Sequence, residues 1–138
     1  MITNQNLRIN REENIIFIID DDPFTLDLLR KSLSPFGRVY KYLNTNNFME
    51  DYRKTVPDTV FLDIHLDGPS GIDVLKDIMK LDPKANIHML SGDSSTDNIK
   101  NCIRLGARSF IGKPFTKKKL ITALNKCPTL RNIPQQED

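Results

Sequence analysis

The chain has 138 residues, enough for one domain with its own core, and its 38% hydrophobic and 28% charged content is that of an ordinary globular protein. A net charge of +2 is too small to argue for nucleic acid or an anionic membrane as partner. Cys102 and Cys127 match neither a metal-ligand spacing nor a disulfide framework, and no apolar stretch reaches the ~20 residues of a membrane-spanning helix.

The first residues, MITNQNLRINREEN, are polar and carry no apolar core of a signal peptide. Residues 1–13 are therefore expected to be a disordered or loosely held lead, and the cytoplasm is the expected location. A buried strand, IIFII (15–19), comes next and ends in Asp20, Asp21 and Asp22. Two like charges ~4 Å apart cost about 4 kcal/mol at an effective dielectric of ~20, so these carboxylates need either a compensating charge or separate paths into solvent. PFTLDLLRKSL (23–33) has a proline suited to the first helical turn and places Phe24, Leu28, Leu29 and Leu33 on one face. Asp22, just ahead of it, reads as an N-cap.

RVYKYL (38–43) alternates and is placed at a sheet edge, and NTNNFMEDYRK (44–54) is a short helix capped by Asn44 or Thr45. TVFLDI (59–64) is a second buried run. GIDVLKDIMKL (71–81) repeats apolar residues at Ile72, Leu75, Ile78 and Met79, then stops at Asp82 and Pro83. NIHML (86–90) is the next strand, within which His88 reads as a packed or hydrogen-bonded histidine. SSTDNIKNCIRLG (94–106) starts on capping residues and ends at a glycine, with Cys102 a buried thiol on its apolar side. SFIG (109–112) is a fifth strand, and TKKKLITALNKC (116–127) a fifth helix capped by Thr116. Its lysines 117 to 119 read as a solvated face.

Four of the five runs do not alternate, so they are expected to be buried on both faces. The β-α order repeats five times, which predicts a doubly wound α/β fold: a five-stranded parallel sheet with five helices, occupying residues 14–127 ahead of a short tail at 128–138.

In such sheets ligands bind beyond the carboxyl ends of the strands. Those ends carry Asp20, Asp21 and Asp22, then Asp63, Ser91 and Lys113. Clustered carboxylates suit a hard cation such as Mg²⁺, and a hydroxyl with an ammonium suits the oxygens of a phosphoryl group. Asp63 is then placed to accept that group as a nucleophile. Neither G-x-G-x-x-G nor G-x-x-x-x-G-K-[ST] occurs, so dinucleotide and P-loop readings fail. Mg²⁺-dependent phosphatases of the haloacid dehalogenase type, which use an aspartyl-phosphate intermediate, carry a second aspartate two residues after the nucleophile as general acid, and here His65 stands in that place.

IIDDDP, VFLDIHLDGPSG, HMLSG and FIGKPF, in this order, closely resemble the receiver domain of two-component response regulators of the single-domain, chemotaxis-regulator type. The resemblance implies a flavodoxin-like strand order of 2-1-3-4-5. It implies Asp20 and Asp21 as the acidic pair that holds Mg²⁺ (Mn²⁺ substituting), with Asp21 the more direct ligand and the His65 backbone carbonyl completing the set with Asp63. Asp63 would be the phosphoacceptor, Ser91 the switch hydroxyl, Lys113 the phosphoryl-binding lysine and Phe110 the aromatic switch residue, with a cis bond between Lys113 and Pro114. The imidazole of His65 is expected to face solvent. Asp67, where proline is usual, and Gly92, where alanine is usual, are departures.

As partners it implies a histidine kinase or histidine phosphotransfer protein, and a target protein on the surface of the fourth predicted helix, fifth strand and fifth helix. Direct nucleic-acid binding and membrane insertion are not expected. The chain would be a signalling switch that catalyses only its own phosphorylation and dephosphorylation. The alternatives are a receiver-like module that binds partners without phosphorylation, and the N-terminal receiver of a longer regulator.

Overall fold

The computed structural model describes residues 3–66, 68–93 and 95–135. In chain order its elements are α1 (Asn4–Asn10), β1 (Ile15–Ile19), α2 (Pro23–Leu33), β2 (Arg38–Tyr42), α3 (Phe48–Thr55), β3 (Thr59–Asp63), α4 (Gly71–Leu81), β4 (Ile87–Ser91), α5 (Thr96–Arg104), β5 (Ser109–Gly112) and α6 (Lys117–Leu124), with a 3₁₀ turn at Ser34–Phe36. The strands form one parallel sheet in the order β2-β1-β3-β4-β5. This is the predicted doubly wound, flavodoxin-like sheet.

Strand pleating divides the core. Ile15, Phe17 and Ile19 of β1 face α3, α4 and α5, packing with Phe48, Tyr52, Leu75, Ile78 and Cys102. Ile16 and Ile18 face α2 and α6, packing with Leu29, Leu33, Leu120 and Leu124. Both faces of β1, β3 and β4 are buried, which explains their unbroken apolar runs. Among the described residues no helix is long and apolar enough to cross a membrane.

Among the described residues six α-helices stand where five are predicted. The additional one, α1, occupies the lead expected to be disordered. Thr3 caps it by accepting from the Asn6 N–H. No apolar periodicity announces it, because its anchor is Arg8, which is 1% exposed. The Arg8 guanidinium donates to the Pro57 carbonyl (2.8 Å) and the Tyr52 hydroxyl (3.1 Å), and pairs with Asp82. Arg11 donates to the carbonyls of Thr55 and Val56, at 2.8 and 2.9 Å. Those bonds fix a turn in which Val56, a β-branched residue, sits at φ 52°, in the left-handed region. Arg131 of the tail in turn donates to the carbonyls of Arg8 and Ile9.

Other boundaries move less. Phe24 and Leu28, predicted on the core face of α2, are 80% and 48% exposed, while Leu26 is buried in their stead. α3 starts at Phe48 after Asn47, because the Asn44 side chain accepts from the Asn46 N–H in a turn and caps no helix. α5 and α6 are shorter than predicted, capped by Ser95 and Thr116. β5, expected to be buried on both faces, is half-buried at three of its four positions because it lies at the open edge of the sheet.

Candidate functional site

The carboxyl ends of β1, β3, β4 and β5 meet at one edge of the sheet. Asp20 follows β1 and is fully buried, its N–H donating to the Tyr42 carbonyl at 3.1 Å. One of its carboxylate oxygens accepts from the Asp22 N–H (2.9 Å) and the other from Lys113 Nζ (2.8 Å). Asp63, last in β3, is 3% exposed. Its Oδ1 lies 3.3 Å from the same Lys113 Nζ and accepts weakly from the His65 N–H at 3.4 Å. Neither contact uses Oδ2. Asp21 is half-buried, and one oxygen from each of Asp20, Asp21 and Asp63 lies within 4.8 Å of the other two.

The three opening aspartates thus divide. Asp22 points away as the cap of α2, accepting from the Phe24 and Thr25 N–H groups (3.3 Å each) and the Thr25 hydroxyl (2.6 Å). The Thr25 hydroxyl, with those backbone bonds, holds its carboxyl below the usual range. Asp20 and Asp21 stay with Asp63.

Burial, then the charge of Asp20, pushes the Asp63 carboxyl up to about 6, with Lys113 and the His65 N–H pulling the other way. Burial alone would lower the Lys113 ammonium, but its contacts with Asp20 and Asp63 outweigh that and raise it. Three carboxylates against one ammonium leave an all-oxygen site two charges short of neutrality. That donor set fits a hard divalent cation.

Ser91, last in β4, is fully buried, and its hydroxyl accepts from the Asp93 N–H (2.9 Å). Its carbonyl accepts from the Lys113 N–H (2.8 Å), which ties the ends of β4 and β5 together. The Lys113–Pro114 bond is cis, as the resemblance implies. His65 is exposed, so its place beside Asp63 comes from its backbone. Phe110 is half-buried at the rim of the core that faces α5. Among the described residues nothing stands within 4 Å of a Cβ built on Gly92. Asp67 lies outside the described residues.

In the sequence Gly71 marks only the start of a helix. A Cβ there would collide with the Asp63 carbonyl oxygen and lie 2.7 Å from Ile64 Cα. Its N–H donates to the Ile64 carbonyl at 2.8 Å, which seats the start of α4 directly against the strand end that bears Asp63. Only the second glycine of GPSG, Gly71 itself, hints at so close an approach.

A family model for the response regulator receiver domain matches residues 16–125. The chain belongs to this family. The receiver is 34% identical over 113 residues to chemotaxis protein CheY of Thermotoga maritima, across 80% of its own length and 94% of that protein's. With chemotaxis protein CheY of Bacillus subtilis the identity is 33% over the same shares. Among solved structures, the receiver domain of NtrX from Brucella abortus superposes with a TM-score of 0.76 at 30% identity, covering 81% of this receiver and 96% of that chain.

Proposed function

We propose that this receiver accepts a phosphoryl group on Asp63 from a phosphohistidine of a histidine kinase or histidine phosphotransfer protein in the cytoplasm, and that the new charge switches its α5-β5-α6 surface toward a partner protein. The observation that carries this reading is Asp63 itself. It is a buried carboxylate at a strand end, held at Oδ1 by Lys113 and His65, with neither contact engaging Oδ2. In the transfer an Asp63 oxygen forms a bond to phosphorus, the phosphorus–nitrogen bond breaks, and the imidazole leaves with a proton.

Asp20, Asp21, Asp63 and the His65 carbonyl would hold Mg²⁺, whose chemistry here is to offset charge on the phosphoryl oxygens. Lys113 contributes the second cation and orients Asp63. Ser91 then leaves the Asp93 N–H for the phosphoryl group, drawing the loop after β4 inward and making room for Phe110. A charge change at one residue thereby biases a two-state surface. The chain is a switch rather than an enzyme for an outside substrate.

The test is an amide NMR titration with acetyl phosphate and Mg²⁺. Resonances of Ser91, Gly92 and Phe110 should shift in the wild type and stay still in Asp63→Asn. Equal shifts in both proteins would contradict the reading, and no shift in either would favour a receiver that binds partners without phosphorylation.

A further inference from the structure

The charge on this chain is unevenly placed. Residues 96–126, which comprise α5, β5 and α6, hold eight lysines and arginines and one acid, Asp97, while the rest of the chain holds twelve against seventeen. A chain of net charge +2 therefore carries one strongly cationic side on an otherwise acidic body. Lys100, Arg104, Arg108, Lys117, Lys119 and Lys126 are all exposed.

The same side has a groove. Between the open edge strand β5 and α6 lies a cleft of about 330 Å³, with Phe110, Ile111 and Ala123 among its apolar walls and Lys119 and Lys126 at its rim. In a parallel ladder alternate residues turn their backbone groups away from the neighbouring strand. The Lys113 N–H donates to the Ser91 carbonyl, and in the register that pairs Ser91 with Gly112 it is therefore Phe110 and Gly112 that turn theirs toward this edge. The cationic field extends inward as well: burial is the main cause of the lowered value at His88 in β4, and Lys126 and Arg108 act in the same direction.

We infer that the β5–α6 groove receives an acidic segment of a partner protein, its carboxylates meeting Lys119 and Lys126 while its apolar side chains enter between Phe110 and Ala123. This rests on the reading of α5-β5-α6 as the partner surface, and it adds the chemistry of the partner. Opposite charge steers encounter, and the apolar walls supply the contact that charge alone does not. A nucleic acid fits less well. A long polyanion would run past the cationic side onto a body with an excess of acids.

The probe is a fluorescein-labelled peptide of alternating glutamate and leucine, followed by anisotropy at low and physiological salt. A single-stranded oligonucleotide of equal charge is run beside it. The peptide should bind the wild type in a salt-dependent manner and more tightly than the oligonucleotide. Lys119→Glu/Lys126→Glu should weaken it by about tenfold or more, while Lys76→Glu/Lys80→Glu on α4, an equal change in net charge, should leave it within about threefold. No peptide binding, equal losses in the two variants, or oligonucleotide binding as tight as the peptide would overturn the inference. Acetyl phosphate adducts are measured on the same preparations. Peptide binding without an adduct sinks the phosphorylation reading and keeps the groove, and an adduct without peptide binding does the reverse.

Discussion

Lys113 and Asp20 lie 93 residues apart in the chain and 2.8 Å apart in the fold. The same ammonium reaches Asp63 at 3.3 Å, so one side chain holds two buried carboxylates that would otherwise repel. Lys113→Met should therefore raise the Asp63 titration midpoint above its value of about 6, because the opposing charge is gone while burial and Asp20 remain. Carbon-detected NMR of the Asp63 carboxyl, in metal-free buffer, reads this directly. A midpoint that falls would contradict the arrangement.

Asp21 is the least buried of the three clustered aspartates and so the one best placed to meet a cation from solvent. A ligand at 100 times its dissociation constant stabilises the folded state by about 2.7 kcal/mol. Saturating Mg²⁺ should raise the wild-type Tm accordingly, and Asp21→Asn should lose most of that rise while its metal-free Tm stays level or increases. A full Mg²⁺ response in the variant would remove Asp21 from the site.

Arg8, Tyr52 and Asp82 form a buried triad in which the Tyr52 hydroxyl also donates to Asp82 at 2.7 Å. Removing one partner of a buried ion pair typically costs about 3–5 kcal/mol, because the other charge is left uncompensated. Arg8→Met should lower stability by that order in urea unfolding, and Arg8→Met/Asp82→Leu should recover part of it. A loss below about 1 kcal/mol would mean that α1 is not integral to the fold.

Gly71→Ala tests the seat of α4. The collision with the Asp63 carbonyl forces either the helix or the strand end to move, and overpacking of this kind costs about 1–3 kcal/mol. Stability should fall by that amount and phosphorylation by acetyl phosphate should slow. A variant equal to the wild type in both would show that the approach is looser than the structure has it.

His88 gives a pH dependence whose sign is fixed. Its ring donates to or accepts from the Ser109 hydroxyl at 2.6 Å through Nδ1, while Nε2 is buried with no partner among the described residues. Burial lowers its folded value to about 3, against 6.5 in the unfolded chain. Its contribution is thus whole above pH 6.5 and is lost as pH falls toward 3, by up to about 1.4 kcal/mol per pH unit. Asp63 acts oppositely: raised from 3.8 to about 6, it contributes below pH 3.8 and loses that contribution as pH rises through 6. In His88→Leu only the first effect disappears. The difference in stability between wild type and variant should therefore move in the variant's favour between pH 7 and pH 4.5, and an unchanged difference would contradict the assignment.

The sheet and its site were legible because both follow from short-range pattern. A strand buried on both faces must be apolar throughout, and a polar residue directly after it must lie at the carboxyl edge, which is where Asp20, Asp63 and Lys113 stand. Ser91 reached that edge too, but its hydroxyl meets the Asp93 N–H and not the acidic cluster, a detail of loop geometry that no spacing encodes. α1 was not legible, since it is held by Arg8 across 74 residues to Asp82 and not by an apolar stripe. Phe24 misled for the converse reason: periodicity groups it with Leu29, yet α2 turns it outward beside Pro114 and Phe115. Gly71 matters through a collision that only the packed structure reveals.

If Asp63 accepts a phosphoryl group in a site that needs a divalent cation, intact-protein mass will show it after incubation with acetyl phosphate, with and without Mg²⁺, on the wild type and Asp63→Asn. A single phosphoryl adduct that requires both Mg²⁺ and Asp63 is expected. An adduct that persists in Asp63→Asn, or that forms equally well without the cation, would contradict it.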